Sequence, residues 1–345
     1  MARGTSLLGG GSSSALRALC RRALSSAEFR KALRAPLRRF IEFDAYCVNT
    51  CDVETGVVTS SVGDGLSPEQ ARALFALEAE GKDFNGLHEL HRGPKRVASI
   101  WQSTSGELER SPRMRQIFLP LGFGDELRAA LSVAGACFGY LHLFRRLGLG
   151  PFLPAELKRL ERLGPLIADS LRRCAAADSA RSNASDASGP GLLLLDANNR
   201  VVRSSEDAPA AVAGLDYLSA ESGSAHVLQD LVSRARSGAP ARATLLRADA
   251  APRSLSTLQV GDQTAVLVDR LKAEDGRALL ASSAALTPRE RNVSECLARG
   301  DSNLAIAAQL GISLYTVKDH VKAILAKTRC ASRAELAARW NGALS

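Results

Sequence analysis

The spacing of apolar positions changes along the chain, and the regions that it separates predict three folded units. Across residues 25–175, short alternating runs typical of strands lie between longer helical stretches, which predicts mixed α/β structure. Residues 190–269 repeat this mixture on a smaller scale. Across residues 285–345 the apolar positions recur every three or four residues, which predicts an all-α domain.

The stretches between these regions predict the domain boundaries. Small and polar residues dominate two of them, as is typical of linkers, and the first residues of the chain are rich in Gly and Ser. The expected organisation is a disordered basic N-terminus over residues 1–24, an α/β domain over 25–175, a linker over 176–189, a small α/β unit over 190–269, a linker over 270–284 and a helical domain over 285–345.

The first forty residues carry nine Lys/Arg and one acidic residue. Organelle transit peptides share this composition, and that alternative stays open at this stage. We favour a disordered start followed by a basic amphipathic helix. The residues expected on the apolar side of that helix are Leu24, Phe29, Leu33, Leu37 and Phe40.

The first α/β domain is predicted to contain a β-hairpin. Residues 45–49 are strand-like, residues 52–56 have the composition of a turn, and residues 57–59 form the returning strand. A helix is expected to follow Ser67. Further strands are predicted at 97–101, 127–134 and 138–143, and a long closing helix at 154–173.

Helix-start signals and one turn divide the C-terminal domain into four predicted helices. The first and the fourth each begin with a capping box, at residues 287–290 and 332–335. Ser302 can cap the second helix. Gly311 can end that helix in the left-handed conformation, and Ser313 can then cap the third. This arrangement is a helix-turn-helix.

The third of these helices, predicted over residues 314–327, is the candidate reader of DNA. At about 100° per residue, Val317, Val321 and Ile324 point inward. The outward face and its flanks then hold Tyr315, Thr316, Lys318, Asp319, Lys322 and Ala326. Lysine can donate to guanine or phosphate, and aspartate can accept from the cytosine amino group. The alternative, a solvated face of an ordinary bundle, is disfavoured by the caps and the turn together.

The net charge of the chain is compatible with a nucleic-acid partner but does not by itself identify one. The formal net charge is +9 at pH 7. Residues 286–345 contain nine Lys/Arg against five Asp/Glu, a net of +4. Duplex binding depends on such a surplus because neutralised phosphates release counterions.

The cysteines indicate a reducing compartment. There are seven, and they are scattered without a C-x-x-C pair, which disfavours a disulfide framework or a zinc site. Cys47 and Cys51 are close enough in sequence to suggest redox sensing. We expect them instead to be small core residues.

The C-terminal residues closely resemble the LuxR-type helix-turn-helix family. The likeness is carried by residues 286–291, 316–321 and 332–335. It implies a domain that binds as a dimer, with the third helix in the major groove and Leu336 and Trp340 of the fourth helix at the dimer contact. By the resemblance Lys318, Asp319 and Lys322 face bases or nearby phosphates, Thr316 contacts a phosphate, and His320 packs or contacts a phosphate. Ser302 and Ser313, at the helix starts, are also expected to contact DNA.

Two departures from the family pattern bear on these assignments. Leu304 and Ala305 stand where the family usually has Lys-Glu, which weakens the cap of the second helix by a fraction of about 1 kcal/mol. Asp319 stands where the family often has a neutral amide or an apolar residue. In having an aspartate at this position, the chain resembles the branch of the family in which this domain follows a GAF-like sensor.

Residues 25–175 resemble, more loosely, a GAF-type sensor domain. The segments that carry this likeness are 118–128 and 139–143. The resemblance implies a small-molecule pocket on one face of the sheet but identifies no ligand. His88 and His91 lie near this pocket in sequence only, and we expect both to be surface or packing residues.

Residues 190–269 begin with a strand, an Asn-rich turn and a second strand, an opening that resembles a degenerate PAS-type domain. The alternative is a dimerising or spacer module without a ligand. The expected fold class is therefore multidomain: an α/β GAF-like sensor, a small α/β PAS-like unit and an all-α four-helix LuxR-type helix-turn-helix domain.

The expected function is sequence-specific, DNA-binding transcriptional regulation in response to a signal at the N-terminal domains. The alternative is a constitutive DNA-binding protein whose front domains only dimerise. The expected partners are double-stranded DNA with an approximately palindromic operator, a second copy of the chain, an unidentified small molecule and RNA polymerase.

Enzymatic motifs are missing from the sequence. It contains no P-loop, nucleotide-binding glycine motif, G-x-S-x-G or metal triad, so we expect no catalytic residue, metal ligand or cofactor. No apolar run reaches the roughly 18 residues that a membrane helix needs. A bacterial cytoplasmic location without membrane contact is therefore expected.

Overall fold

The computed structural model of the chain covers most of the three predicted regions. The described residues are 10–64, 66–181, 190–206, 225–238, 241–245, 253–270 and 273–342. Outside them lie residues 1–9 of the predicted disordered N-terminus, 182–189 of the first predicted linker and 271–272 of the second.

Five antiparallel strands form the first sheet, in the order β2-β1-β5-β4-β3. In chain order they are β1 (Ala45–Cys51), β2 (Val58–Gly63), β3 (Val97–Ser99), β4 (Phe123–Val133) and β5 (Ala136–Arg146). The predicted hairpin is confirmed, because β1 pairs with β2 and places Val48 opposite Val62. The strand predicted over 97–101 ends earlier, since the Ser99 side chain caps the next helix by accepting from Gln102 N at 3.3 Å.

Helices pack on both faces of this sheet. They are α1 (Gly10–Cys20), α2 (Ser26–Arg38), α3 (Pro68–Glu80), α4 (Leu87–Arg92), α5 (Ile100–Thr104) and α6 (Pro154–Arg181). Helices α1, α2 and α6 cover the face that carries Leu127 and Leu141. Helices α3 and α4 cover the face that carries Ala130 and Tyr140. This division follows from the alternation of side chains along each strand.

The N-terminal region is more ordered than the sequence indicated. The predicted amphipathic helix is confirmed as α2, which begins with a capping box between Ser25 and Glu28. The prediction of disorder over residues 1–24 is wrong for Gly10–Cys20, which form α1. This helix is held in place because Leu16 and Leu19 are buried in the core of the first sheet.

The first predicted linker begins later than expected. Helix α6 does not stop near residue 173 but continues to Arg181, so residues 176–181 of the segment predicted over 176–189 are helical. Alanine is the strongest helix former, and three alanines lie at residues 175–177. Asp178 also ties the extension to α2 by accepting from Ser26 N at 2.9 Å.

A second five-stranded antiparallel sheet has the order β7-β6-β10-β9-β8. Its strands are β6 (Gly191–Leu195), β7 (Val201–Ser204), β8 (Arg242–Leu245), β9 (Arg253–Val260) and β10 (Gln263–Arg270), with α7 (Ala225–Arg236) packed on one face. The strand, turn and second strand that the sequence predicted at the start of this region are β6, the turn after it and β7. Numbered within each sheet, both sheets have the strand order 2-1-5-4-3.

The turn between β1 and β2, which runs from Asp52 to Val57, joins the two sheet units. Val57 is fully buried among core residues of the second unit. Val58 N donates to Asp230 Oδ2 of α7 at 2.8 Å. Thr244 N of β8 donates to Asp52 Oδ2 at 2.9 Å. The β1–β2 turn is therefore part of both units.

A buried charged cluster lies between β4, β5 and the helices of the first unit. Glu126 accepts from Arg113 Nε and Arg128 Nε, both at 2.7 Å, and its Oε1 lies 3.0 Å from His142 Nδ1. Burial raises the pKa of Glu126, but Arg128 and Arg113 outweigh it and hold that pKa well below its usual range. Burial lowers the pKa of His142.

The C-terminal region contains the four predicted helices and one more before them. They are α8 (Ala273–Ser283), α9 (Pro288–Ala298), α10 (Asn303–Leu310), α11 (Leu314–Thr328) and α12 (Arg333–Gly342). The prediction of a linker over 270–284 is wrong for α8, because Ala281 and Ala284 pack into the core of the helical domain. Among the described helices, none is long and apolar enough to cross a membrane.

Candidate nucleic-acid interface

The capping box that begins α9 also anchors α11. Thr287 Oγ1 accepts from Glu290 N at 3.2 Å, and Glu290 Oε2 accepts from Thr287 N at 2.7 Å. Glu290 Oε2 also accepts from Lys327 Nζ at 2.7 Å. Burial raises the pKa of Glu290, but Lys327 and the cap outweigh it and lower that pKa. The sequence did not indicate Lys327, since it lies 37 residues from its partner.

The turn between α10 and α11 has the predicted geometry. Gly311 ends α10 with φ of 63°, the left-handed conformation that glycine adopts without strain. Ser313 then begins α11 by accepting from Thr316 N at 3.0 Å. These two residues fix the angle at which α11 leaves α10.

The remaining caps differ in completeness. Ser302 caps α10 by accepting from Ala305 N at 3.2 Å, and Ala305 has no carboxylate to return a bond. Ser332 caps α12, but the carboxylate of Glu335 accepts from Ala331 N at 2.7 Å. The second predicted capping box is therefore half formed, with its return bond displaced by one residue.

Helix α11 buries one side and presents the other to solvent, as predicted. Val317 and Ile324 are fully buried, and Val321 packs against the same core. On the opposite side Tyr315 is 75% exposed. Since the buried stripe holds the helix against α9 and α10, the polar side stands free for contact.

The residues predicted to touch DNA lie on this free side or at its edges. Lys318, Asp319 and Lys322 are exposed, while Thr316 and His320 are half-buried. Neither lysine forms an ion pair with a residue that the structure describes. The unpaired ammonium groups can donate to base edges or phosphates, and the carboxylate of Asp319 can accept from a base amino group.

The arginines of this domain have a different role. Arg289 donates to Leu310 O at the end of α10, and Arg339 donates to Thr328 O at 3.0 Å. Arg333 donates to Asp301 O. These guanidinium groups connect one helix to the next. Lys318 and Lys322 make no such internal contact, so they are available to a partner.

Helix α10 carries the departures from the expected pattern. Leu304 is 71% exposed and does not belong to the domain core. Ser302, at the start of the same helix, is exposed beside it. An apolar side chain therefore occupies the surface position at which the family pattern usually has a lysine.

The predicted dimer residues need correction. Leu336 and Trp340 are 0% and 1% exposed within a single chain. Both belong to the core of the helical domain together with Val293 and Leu297. The prediction that they form a dimer contact is wrong for these side chains, because they point into their own domain. The exposed residues of α12 include Ala334, Glu335, Ala338 and Arg339.

Comparison with known proteins agrees with this geometry. Residues 284–339 match the GerE family model, described as bacterial regulatory proteins, luxR family. A monoamine regulon transcriptional regulator from Klebsiella aerogenes is 48% identical over 56 residues, which are 16% of this chain and 25% of that protein. The nitrate/nitrite response regulator protein NarL from Escherichia coli strain K12 is 49% identical over 55 residues, 16% of this chain and 25% of that protein.

A third relative is the HTH-type transcriptional regulator named for the exeN 3′ region of Aeromonas salmonicida. It is 55% identical over 51 residues, which are 15% of this chain and 26% of that protein. This chain thus spans about a quarter of the length of these relatives. Its C-terminal domain is a LuxR-type helix-turn-helix domain.

Among solved structures, the VqsR LBD domain from Pseudomonas aeruginosa has a likeness to part of this chain. It covers 49% of this chain and 99% of its own, with a TM-score of 0.36 and 16% identity.

Proposed function

We propose, on the premise that the C-terminal domain is of the LuxR type, that the chain is a sequence-specific DNA-binding transcriptional regulator. The observation that carries the proposal is the free face of α11. Lys318 and Lys322 on this face are exposed and form no ion pair with a described residue. The opposite side of the helix is buried in the core. Such a helix fits the major groove of a duplex.

Within this proposal the side chains divide between base and phosphate contacts. Lys318 and Asp319 are exposed near the start of α11, the part of a recognition helix that meets base edges. Lys322 lies one turn further along and contacts a phosphate. Thr316 and His320, at the edges of the face, contact phosphates or pack beside the groove.

The two exposed cap residues complete the proposed contact. Ser302 and Ser313 stand at helix starts, where free backbone N–H groups favour an anion. Ser313 Oγ lies 2.8 Å from Thr316 Oγ1, so these hydroxyls are placed together. We propose that both helix starts bind phosphate groups of the duplex.

We further propose that the protein binds as a dimer. The corrected position of Leu336 and Trp340 moves the contact from these side chains to the exposed side of α12, where Ala334 and Ala338 lie one turn apart. Small residues let two helices approach closely. Two-fold symmetry then requires an approximately palindromic operator whose half-sites lie about one helical turn, ~34 Å, apart.

The two sheet units are proposed to be GAF-like and PAS-like sensor domains that bias the dimer toward or away from DNA. Their common strand order supports two units of related architecture. The contact through Asp52 and Val57 supports joint movement of the two. RNA polymerase is the proposed downstream partner.

The test begins with selection of double-stranded fragments by the purified full-length protein. We expect an enriched, roughly palindromic motif. Lys322→Ala should weaken binding to all fragments and reduce the slope of log affinity against log salt by about one. The matched control is Lys158→Ala, at an exposed position on α6. It should leave the DNA affinity and the salt slope unchanged.

Two outcomes would reject the proposal in different ways. No enrichment over random competitor at moderate salt would exclude sequence-specific binding. Enrichment with wild-type affinity and an unchanged motif in both Lys322→Ala and Asp319→Asn would exclude α11 as the reader. Equal DNA affinity with and without cellular metabolites would instead favour front domains that only dimerise.

A further inference from the structure

Three side chains that are far apart in the sequence meet beside the β1–β2 turn. Cys51 is the last residue of β1, Cys137 lies on β5 and His91 lies on α4. One ligand atom from each lies within 4.8 Å of the other two. Both cysteines are buried, at 8% and 2% exposure, and His91 is half-buried.

The histidine has an unused hydrogen-bonding atom here. His91 Nδ1 is buried and has no hydrogen-bond partner among the described residues. A buried polar atom without a partner costs roughly 1–3 kcal/mol. The structure therefore maintains this ring beside two sulfurs at a cost that a bound ligand would offset.

The distance between the two sulfurs suits two ligands of one metal ion. Cys51 Sγ and Cys137 Sγ lie 3.9 Å apart. Two sulfurs on a tetrahedral zinc ion, each bonded at about 2.3 Å, are separated by about 3.8 Å. A disulfide needs about 2.05 Å, so the two sulfurs would have to approach by almost 2 Å.

We propose that Cys51, Cys137 and His91 bind one thiophilic d¹⁰ cation, Zn²⁺ or Cu⁺. Two thiolates and an imidazole are the ligand types that these ions prefer, and three protein ligands leave the fourth position open. Each thiol that ligates the ion releases its proton to solvent. Closure of the ligands onto the ion needs shifts of about 1 Å.

The surroundings hold the three ligands near one another. Arg96 donates to His91 O and to Leu90 O, which fixes the end of α4. Tyr140 Oη donates to Gly56 O at 3.0 Å and closes the turn over the site. A Cβ on Gly56 would lie 3.3 Å from His91 Cγ, so the turn packs directly against the imidazole.

This cluster bears on two sequence-based expectations. Cys47 and Cys51 were expected to be small core residues, and redox pairing between them is disfavoured because residues four apart on one strand are about 13 Å apart. The sulfur that lies near Cys51 Sγ is that of Cys137. His88 and His91 were both expected to be surface or packing residues. His88 is exposed, whereas His91 turns toward the cysteines.

The test measures metal binding by the reduced full-length protein after treatment with a chelator. We expect one Zn²⁺ per chain after dialysis, and a Co²⁺–thiolate charge-transfer absorbance on titration with Co²⁺. Cys51→Ser, Cys137→Ser and His91→Ala should each weaken binding at least about tenfold. Cys47→Ser and His88→Ala are matched controls, from the same strand and the same helix, and should bind as the wild type does.

A second measurement needs no variant. Zn²⁺ or Cu⁺, but not Mg²⁺, should raise the unfolding temperature of the wild-type protein, because only the folded chain assembles the site. A higher unfolding temperature with Zn²⁺, together with the Co²⁺–thiolate absorbance, identifies Zn²⁺ as the ion. A higher unfolding temperature with Cu⁺ alone identifies Cu⁺. Absence of the band and of both shifts would overturn the proposal. A Cys51–Cys137 disulfide formed under mild oxidant in a protein that binds neither ion would also overturn it.

Discussion

At the scale of single residues, Asp319 is the position where specificity can be tested most directly. It is exposed on α11 between the two free lysines and forms no ion pair with a described residue. A carboxylate can only accept, so it suits the cytosine amino group. Asp319→Asn adds a donor while it preserves the size of the side chain.

We therefore expect Asp319→Asn to change the preferred base at one position of each half-site, with a discrimination of about 1–3 kcal/mol. Selection of fragments by the variant and the wild type would show this as one altered column in the motif. An unchanged motif with unchanged affinity would mean that Asp319 faces solvent in the complex.

A second residue-scale prediction concerns His142 in the buried charged cluster. Burial lowers its pKa in the folded protein, so the neutral ring is preferred there. The stability that this provides is complete above the unfolded pKa of about 6.5 and is lost as the pH falls through the folded pKa. The pKa of Glu126 is lowered as well, so its contribution to stability also decreases as the pH falls.

The unfolding temperature of the front units should consequently fall between pH 7.5 and pH 5.5, and it should fall less in His142→Gln. Burial raises the pKa of Asp125, which works in the opposite direction. The difference between variant and wild type removes that contribution because Asp125 is present in both. Parallel pH profiles for the two proteins would contradict the assignment.

Residue roles could be predicted from the sequence where periodicity decides them. Val317 and Ile324 were placed in the core, and the structure buries both. Leu336 and Trp340 were placed at a dimer contact by the family resemblance alone, whereas the structure buries both in the core of their own domain. The meeting of Cys51 with Cys137 depends on strand order, which no local pattern contains.

At the scale of elements, the turn between α10 and α11 gives a prediction with a built-in contrast. Gly311 has φ of 63°, whereas Gly164 lies inside α6 with open space around the position of a Cβ. Gly311→Ala should destabilise the helical domain by about 1–2 kcal/mol. Gly164→Ala should change the stability of the front of the chain by less than about 1 kcal/mol, because the gain in helix propensity is offset by crowding of the new Cβ against the ring of Pro165.

Differential scanning calorimetry of both variants would test this pair. The contrast matters, because a general effect of replacing glycine with alanine would destabilise both proteins alike. A neutral Gly311→Ala would mean that the turn accepts a right-handed conformation. DNA affinity should fall with Gly311→Ala alone, since that turn sets the angle of α11.

Elements were predicted well where caps and alternation mark them, and poorly where composition alone was used. The capping box at Thr287 correctly marked the start of α9. The linkers predicted over 176–189 and 270–284 are partly helical, as α6 and α8 show. Alanine-rich segments resemble linkers in composition, yet alanine favours helix and packs well once a neighbouring surface is available.

At the scale of the whole molecule, Asp230 is the residue through which the two sheet units can be separated. Its Oδ2 accepts from Val58 N at 2.8 Å, and its Oδ1 accepts from Arg234 Nε at 2.8 Å. Asp230→Ala would leave the buried Val58 N–H without its partner and should cost about 1–3 kcal/mol. Thermal unfolding followed by circular dichroism would measure the loss.

Asp169→Ala is the control for that experiment. Asp169 pairs with Arg172 and Arg173 on the surface of α6 and is about one-third exposed. Surface pairs of this kind contribute little, so the change should stay within about 1 kcal/mol. Equal effects of the two substitutions would show that the contact through Asp230 does not hold the units together.

The overall architecture was predicted in outline. Three units follow from changes in apolar spacing, and the strands of the first sheet lie close to their predicted positions. The packing of the second unit against the β1–β2 turn did not follow, because Asp52 and Thr244 are 192 residues apart. Contacts of this range depend on the assembled fold.

The neighbouring valines of this turn have a consequence for how the protein melts. Val57 lies in the core of the second unit, and Val58, the next residue, lies in a core cluster of the first. Local unfolding of either core would displace the peptide bond between Val57 and Val58 and so disturb the other core. The two front units should thus unfold in one cooperative transition. A chain that ends at residue 189 should be less stable, because Val57 would be exposed to water.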